Sequence, residues 1–249
     1  MFRGSQNGDY ELDVASAQIA SVVPVGQQKL VAHTAWTYAP SLQYDWIRVG
    51  DIWRNRGHLG SAYDVTGVSS PVALGDKPGY TFPGALDYFP CPAVAEPMNY
   101  FGFWFYAPVE YTSITPFNIL GSHLAAASFI GLGDTTGGGL ETVRMNESAT
   151  GRATQINDVI TLGNHKLEYV WDAVALKYLV LLDNVERTSY APAPGHVQLA
   201  PAYQLTLGRY VGTANYFTGR LYSVTTLNYS PTKEQLSLVF NDERNLYGI

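Results

Sequence analysis

The fold is decided by two neighbouring stretches, Lys166-Leu-Glu-Tyr-Val-Trp171 and Tyr178-Leu-Val-Leu-Leu-Asp-Asn184. In each stretch large apolar and aromatic side chains recur at every second residue, so they lie on one face of an extended strand. Asp183 and Asn184 tolerate the positive φ that a tight turn requires. The pattern predicts a β-hairpin with one buried face, followed by a further strand over Val185–Tyr190.

The C-terminal segment carries the signals of one short helix, which we predict at Ser230–Asn241. Ser230 is a good N-cap and Pro231 suits the first helical position. An apolar stripe follows at helical spacing and consists of Leu236, Val239 and Phe240.

The rest of the chain from Lys29 onward alternates short β-branched or aromatic runs with turn residues, which is typical of many strands. The predicted strands are Leu30–Tyr38, Trp46–Trp53, Ala85–Phe89, Tyr100–Tyr106, Phe117–Gly121, Ser128–Leu132, Glu141–Met145, Asp158–Leu162, Lys166–Trp171, Tyr178–Asp183, Gln204–Gly208 and Gly219–Leu227. A single β-sandwich over residues 25–249 fits this pattern. Residues 1–24 form a separate N-terminal arm, which we expect to contact another chain of an assembly.

Composition excludes several function classes. The net charge is −6 and no segment concentrates Lys or Arg, so a nucleic-acid partner is not expected. No apolar run reaches the roughly 18 residues of a membrane span, and the N-terminus lacks the apolar core of a signal peptide. We therefore expect assembly in a cytoplasm. The single cysteine, Cys91, lies between two prolines and is interpreted as a buried or inert thiol.

Several segments resemble, in order, the concanavalin A-like superfamily, particularly its laminin G-type (LamG-like) members. These segments are Gly84–Phe89, Tyr100–Ala107, His165–Trp171, Tyr178–Asn184, Leu205–Gly208 and Phe217–Val224, with the helix after them. The resemblance implies a two-sheet antiparallel jelly-roll sandwich. Members of the family bind glycans or proteins, and some are glycosidases.

Catalytic and metal motifs are missing from the sequence. Laminarinase-type glycosidases of this family use Glu-x-Asp-x-x-Glu, because retaining hydrolysis needs two carboxylates about 5 Å apart. Glu11-Leu-Asp13 begins that pattern, but Ser16 ends it. The five histidines show no metal-ligand spacing and no nucleophile elbow. Calcium has candidates at Asp134, Asn157 and Asp158, which we interpret as turn-capping residues. We predict no catalytic residue, no metal and no cofactor.

Aromatic residues in predicted loops and strand ends are the remaining candidates for a binding site. Their rings can stack on a sugar while their polar tips reach its hydroxyls, although tyrosine suits protein interfaces equally well. The candidates for glycan or protein binding are Trp46, Trp53, Tyr210, Asn215 and Tyr216.

The leading hypothesis from the sequence is a non-enzymatic virion structural or accessory protein, for example a phage capsid-decoration or tail-associated protein. It would act through contacts with other protein chains, as a homo-oligomer or with capsid or tail proteins. The alternative is a glycan-binding recognition module of a fibre or adhesin. A glycosidase is a third hypothesis, which the missing carboxylate motif disfavours.

Overall fold

A computed structural model describes residues 2–4, 10–12, 35–45, 47–69, 71–73, 78–83, 87–112, 118–123, 129–132, 143–146, 153–156, 158–187, 203–209 and 216–249. Within them the strands are β1 (Phe2–Gly4), β2 (Tyr10–Leu12), β3 (Leu42–Tyr44), β4 (Arg48–Val49), β5 (Ile52–Trp53), β6 (Val65–Thr66), β7 (Val72–Ala73), β8 (Tyr80–Phe82), β9 (Phe89–Val94), β10 (Tyr100–Ala107), β11 (Asn118–His123), β12 (Phe129–Leu132), β13 (Val143–Asn146), β14 (Ala153–Ile156), β15 (Gly163–Asp172), β16 (Lys177–Leu182), β17 (Val185–Arg187), β18 (Tyr203–Leu207) and β19 (Gly219–Leu227). A 3-10 turn spans Gly60–Tyr63, and the α-helix α1 spans Lys233–Tyr247.

Two antiparallel sheets dominate this part of the chain. The larger sheet has the strand order β17-β16-β15-β10-β19-β8-β7, and β3 also pairs with β19. The smaller one has the order β14-β13-β12-β11-β18-β9. A three-stranded sheet (β4-β5-β6) and the β1-β2 pair are additional.

Strand β10 is the centre of the larger sheet, since it pairs along nearly its whole length with β15 on one side and β19 on the other. Its side chains alternate between the two faces of the sheet. Phe101, Phe103 and Phe105 are fully buried on the inner face, in one hydrophobic cluster with Leu205 and Leu207 of the smaller sheet. The two sheets therefore enclose a common core, and the chain is an antiparallel β-sandwich.

The outer face of β10 is covered by α1. Trp104 stacks on Tyr247 and on Phe240, with ring centroids 4.4 and 5.6 Å apart. Leu236 and Val239 of the same helix pack in one buried cluster with Tyr100. Because both of its faces are buried, β10 consists almost wholly of large apolar and aromatic residues.

A buried polar network joins α1 to the same face. The ammonium nitrogen of Lys166 lies 3.1 Å from Glu168 Oε1 and 3.6 Å from Glu243 Oε2. The hydroxyl of Tyr100 donates to Glu168 at 2.7 Å, and the indole N–H of Trp104 donates to Glu243 at 2.6 Å. The helix is thus held by paired charges and hydrogen bonds as well as by stacked rings.

The predicted all-β sandwich with one C-terminal helix is confirmed, and so is its defining hairpin. Strands β15 and β16 pair in register, beginning with Leu167 opposite Leu182 and ending with Asp172 opposite Lys177. Asp183 and Asn184 have φ values of 52° and 63°, as the turn before β17 requires. The strand predicted at Gly219–Leu227 is observed with those bounds.

Three strand predictions are wrong in the described residues. Trp46–Trp53 is not one strand, because Gly50, at a φ of 62°, turns the chain between β4 and β5. Asp158–Leu162 contributes a single bridging residue, which pairs with Tyr111. The strand predicted at Leu30–Tyr38 is wrong over residues 35–38, which form turns and bends, and its remaining residues lie outside the described ranges. The strand predicted at Ala85–Phe89 is displaced, since the observed strand is Phe89–Val94. This strand lies at the edge of its sheet, where the missing N–H groups of its two prolines are tolerated.

The helix starts and ends later than predicted. Thr232, rather than Ser230, is the N-cap, because Gln235 completes a capping box with it. Ser230 instead donates its hydroxyl to the carbonyl of Trp171. The helix ends at Tyr247, and its C-cap Gly248 adopts the left-handed conformation at a φ of 79°.

In the N-terminal arm, β1 and β2 are described, and they pair with each other as an antiparallel hairpin. The predicted contact of the arm with another chain stays a prediction.

Cys91 is buried as expected, and burial raises the pKa of its thiol to about 12. No helix in the described ranges is long and apolar enough to span a membrane.

We predict that Phe240→Ala destabilises the protein by about 3 kcal/mol, because a buried ring stacked on Trp104 is lost and a cavity remains. The measurement is the free energy of unfolding in urea. Leu238→Ala is the matched control, since this side chain is 55% exposed on the same helix, and its effect should stay within about 0.5 kcal/mol. Equal effects of the two variants would contradict the docked position of α1.

Candidate functional site

Glu96 is the centre of a partly exposed polar cluster. Its Oε2 atom accepts a hydrogen bond from the hydroxyl of Ser41 at 2.7 Å and one from the amide of Asn228 at 3.3 Å. Its Oε1 atom lies 2.8 Å from Nε2 of His58. Three donors from three distant segments therefore hold one carboxylate in place.

Each member of the cluster lies just beyond a strand or in a tightly bonded loop. Ser41 precedes β3, and its N–H donates to the carbonyl of Thr226 in β19. His58 donates its backbone N–H to the carbonyl of Pro40 at 2.7 Å. Glu96 follows β9 and Asn228 follows β19. The polar groups are thus positioned by the ends of strands from both large sheets.

Both ring nitrogens of His58 face acceptors of the protein. Nδ1 lies 3.2 Å from the carbonyl oxygen of Ala39, while Nε2 faces Glu96. A ring whose two nitrogens both face acceptors is best satisfied with a proton on each nitrogen. Partial burial alone lowers the pKa of His58, but the hydrogen bonds to Glu96 and Ala39 outweigh it and leave the pKa raised. Burial likewise raises the pKa of Glu96, yet its bonds from Ser41 and His58 leave it lowered.

Although the cluster contains Ser, His and Glu, its connectivity is not that of a nucleophilic triad. In a triad the histidine lies between the hydroxyl and the carboxylate and takes the hydroxyl proton. Here Glu96 lies between Ser41 and His58, and Ser41 is fully buried. The arrangement therefore fixes polar groups and does not activate Ser41 for attack.

Two tyrosines lie beside this cluster. Tyr38 and Tyr229 meet edge to face, with ring centroids 5.6 Å apart and planes at 83°. The hydroxyl of Tyr229 lies 3.4 Å from both the backbone N and the carbonyl O of Tyr38. Tyr38 directly precedes Ala39, which binds His58, and Tyr229 directly follows Asn228. The ring of Tyr38 is 68% exposed.

We define the Glu96 surface as Tyr38, His58, Glu96, Asn228 and Tyr229. It combines an exposed aromatic ring with charged and amide groups whose positions are fixed. This composition is suited to a ligand that has an apolar face and several hydroxyls.

Of the candidates predicted from the sequence, the two that the structure describes, Tyr216 and Trp53, are not part of the Glu96 surface. Tyr216 pairs with Arg209 as an isolated bridge and is half-buried, and the guanidinium of Arg209 lies 4.9 Å from the ring centroid of Tyr88. Three of the candidates lie outside the described residues, namely Trp46, Tyr210 and Asn215.

Trp53 is a core residue, contrary to its predicted role in binding. Its side chain is fully buried, and its indole N–H donates to the backbone carbonyl of Asp45 at 2.8 Å. Alternation in its short strand turns it inward against Tyr44 and Tyr80. It has no surface left for a ligand.

The calcium candidates give no site in the described ranges. Asp158 forms an ion pair with Arg187 at 2.9 Å, and Asp134 and Asn157 lie outside these ranges. Among the described residues, no group of three or more His, Cys, Asp or Glu side chains could hold a metal ion.

None of the five residues of the Glu96 surface is among the candidates predicted from the sequence, and neither is Ser41. Glu96 lies 38 residues from His58, 55 from Ser41 and 132 from Asn228. No local motif links positions so far apart. Of these residues only Asn228 directly follows a predicted strand, and a polar residue in that position is common in loops.

Comparisons with solved structures find similar β-rich proteins. A Trypanosoma rangeli sialidase in complex with 2,3-difluorosialic acid gives a TM-score of 0.61 at 12% identity, over 92% of this chain and 36% of the sialidase. Domain 4 of AbnA, a GH43 extracellular arabinanase from Geobacillus stearothermophilus, in complex with arabinotriose, gives 0.59 at 14% identity, over 84% of this chain and 98% of that domain. The binding domain of botulinum neurotoxin serotype D/C gives 0.53 at 8% identity, over 82% and 52%.

These identities establish the fold alone. The chain spans about a third of the length of the sialidases it matches. No protein-family model and no curated protein sequence matches it.

We predict that the pKa of His58 lies above the value of about 6.5 that is usual for histidine. Glu96→Gln should lower the pKa of His58, because a charged acceptor is replaced by a neutral one. The pKa follows from NMR titration of the imidazole protons. Since the folded pKa is raised, the stability that His58 adds is complete below about pH 6.5 and is lost as the pH rises through the folded pKa.

Glu186→Gln is the matched control, because it removes a carboxylate that is paired with Lys233 and not with His58, and it should leave the His58 titration where it is. A His58 pKa at or below 6.5 would contradict the doubly hydrogen-bonded imidazolium.

Proposed function

We propose that this chain is a non-enzymatic carbohydrate-binding module on a LamG-like jelly-roll sandwich, and that the Glu96 surface holds the sugar. The observation that carries the proposal is the exposed ring of Tyr38 beside hydrogen-bonding groups that are already fixed by the fold.

The recognition of a sugar follows from two complementary parts of the surface. The ring of Tyr38 offers a flat apolar face to the C–H side of a sugar ring. Tyr229 orients that ring through its edge-to-face contact and its bonds to the Tyr38 backbone. Glu96 and Asn228 then offer polar atoms to the hydroxyls at the ring edge.

Preorganisation favours binding at this surface. Glu96 is held by three donors, so a ligand does not have to order a free side chain. Fixing a rotamer-rich side chain costs about 0.5–1.5 kcal/mol on binding, and that cost is largely avoided here.

The proposed absence of catalysis rests on the same contacts. Glu96 has a lowered pKa, so it is poorly suited to be the general acid that glycoside hydrolysis needs. Ser41 is buried and donates to Glu96, so it is not presented to a substrate.

The neighbours in fold support a carbohydrate ligand. Domain 4 of the arabinanase was solved with arabinotriose, and a sialidase of Trypanosoma rangeli with sialic acid. We extend to this chain only the class of ligand. The sequence also predicts a virion role, with homo-oligomer, capsid or tail partners. The sialidase, the arabinanase domain and the toxin binding domain offer no counterpart to this role. The virion role and its partners therefore stay predictions.

The test is calorimetric titration with oligosaccharides that a glycan array selects on the unmodified chain. Tyr38→Ala should weaken binding at least tenfold, because losing the stacked ring costs about 1.4 kcal/mol or more. Its fold should be unaffected, since the side chain is largely exposed.

Tyr216→Ala is the matched control, because it removes the same side chain at the surface next to Arg209. It should leave the affinity unchanged. Loss of binding in Tyr216→Ala but not in Tyr38→Ala would move the site to that surface, and no binding of any glycan by the unmodified chain would refute the proposed function.

A further inference from the structure

We infer that the Glu96 surface selects uncharged sugars and discriminates against sugars that bear a carboxylate. The inference rests on the proposed function and specifies its ligand class. Two observations carry the inference. Hydrogen-bond donors of the surface are already bonded to the protein, and the group at its centre, Glu96, is a carboxylate.

The donors of this surface are largely committed. Both ring nitrogens of His58 face protein acceptors, Ala39 O at 3.2 Å and Glu96 Oε1 at 2.8 Å. The hydroxyl of Ser41 donates to Glu96 and is buried. Asn228 donates one of its two amide hydrogens to Glu96. Among the described residues, the donors of His58 and Ser41 are therefore already used and are not offered to a ligand carboxylate, which only accepts hydrogen bonds.

The acceptors are less fully used. A carboxylate has about four lone-pair positions, and Glu96 receives two hydrogen bonds at Oε2 but one at Oε1. The side chain of Glu96 is 27% exposed. The amide oxygen of Asn228 is a further acceptor of the same surface. Sugar hydroxyls can donate to such atoms, whereas an ionised carboxylate cannot.

Charge acts in the same direction. Nε2 of His58 already faces Glu96 at 2.8 Å, so the negative charge of an acidic sugar would lie beside the Glu96 carboxylate without a cation of its own from His58. The second contact of such a sugar would be the face of the Tyr38 ring, where the aromatic quadrupole is negative. An anion is therefore disfavoured at both ends of the surface, while the apolar side of a neutral sugar suits the ring.

The experiment compares matched pairs of short oligosaccharides that differ only at C6. The pairs are built from glucose and glucuronic acid, galactose and galacturonic acid, and mannose and mannuronic acid. Affinities are measured by calorimetry on the full chain at pH 7. For the pair with the best-binding neutral member, we expect the neutral sugar to bind at least tenfold more tightly than its acidic partner.

Glu96→Gln tests the cause of the selectivity. The amide keeps the size of the side chain and removes its charge, so the neutral-to-acidic affinity ratio should fall by at least threefold. Glu186→Gln is the matched control, since it removes the same charge from β17, where Glu186 is paired with Lys233. It should leave the ratio unchanged if the effect is local and not one of net charge.

Equal or tighter binding of the acidic member by the unmodified chain overturns the inference and leaves the proposed function standing. An unchanged ratio in Glu96→Gln, with its fold intact by circular dichroism, also overturns it. If neither the neutral nor the acidic member of any pair binds, the proposed function and the inference both fail. The comparison on the unmodified chain needs no variant and decides the matter even if Glu96→Gln does not fold.

Discussion

The burial of β10 on both faces is the constraint on which the rest of the structure depends. On the inner side its phenylalanines meet the smaller sheet, and on the outer side Trp104 lies under α1. The outer face becomes buried only when the helix docks. Because the helix follows β19 after a short connection, its docking also fixes that connection, which contains Asn228 and Tyr229. Core packing and the Glu96 surface are thereby coupled.

The polar network under the helix makes this docking specific. Lys166 and Glu168 are almost completely buried, and Glu243 of the helix completes their surroundings. Removing one partner of a buried ion pair leaves an uncompensated charge, at a cost of about 3–5 kcal/mol. A helix shifted by one residue along its axis would leave Trp104 and Lys166 without Glu243. The apolar contacts provide most of the driving force, and the charges determine the register.

Much of the fold could be predicted because its signals are local. The hairpin needs alternation and two residues that accept a positive φ, and Asp183 and Asn184 meet that need. The helix begins a few residues later than the sequence predicts, because Thr232 forms a capping box with Gln235 while Ser230 donates its hydroxyl to Trp171 instead. The site could not be predicted, since the partners of Glu96 converge through folding from positions up to 132 residues away. An aromatic residue also does not reveal its burial, as Trp53 shows.

The structural role and the proposed recognition role draw on the same residue types, and contact geometry distinguishes the residues assigned to each. Trp53 is enclosed by the core, whereas Tyr38 is exposed beside fixed polar groups. The most direct test of recognition at the Glu96 surface is a titration of the ¹⁵N-labelled chain with a bound oligosaccharide, followed by amide chemical shifts. The account predicts shift changes concentrated at Tyr38, His58, Asn228 and Tyr229. Changes confined to the region of Arg209 and Tyr216 would contradict it.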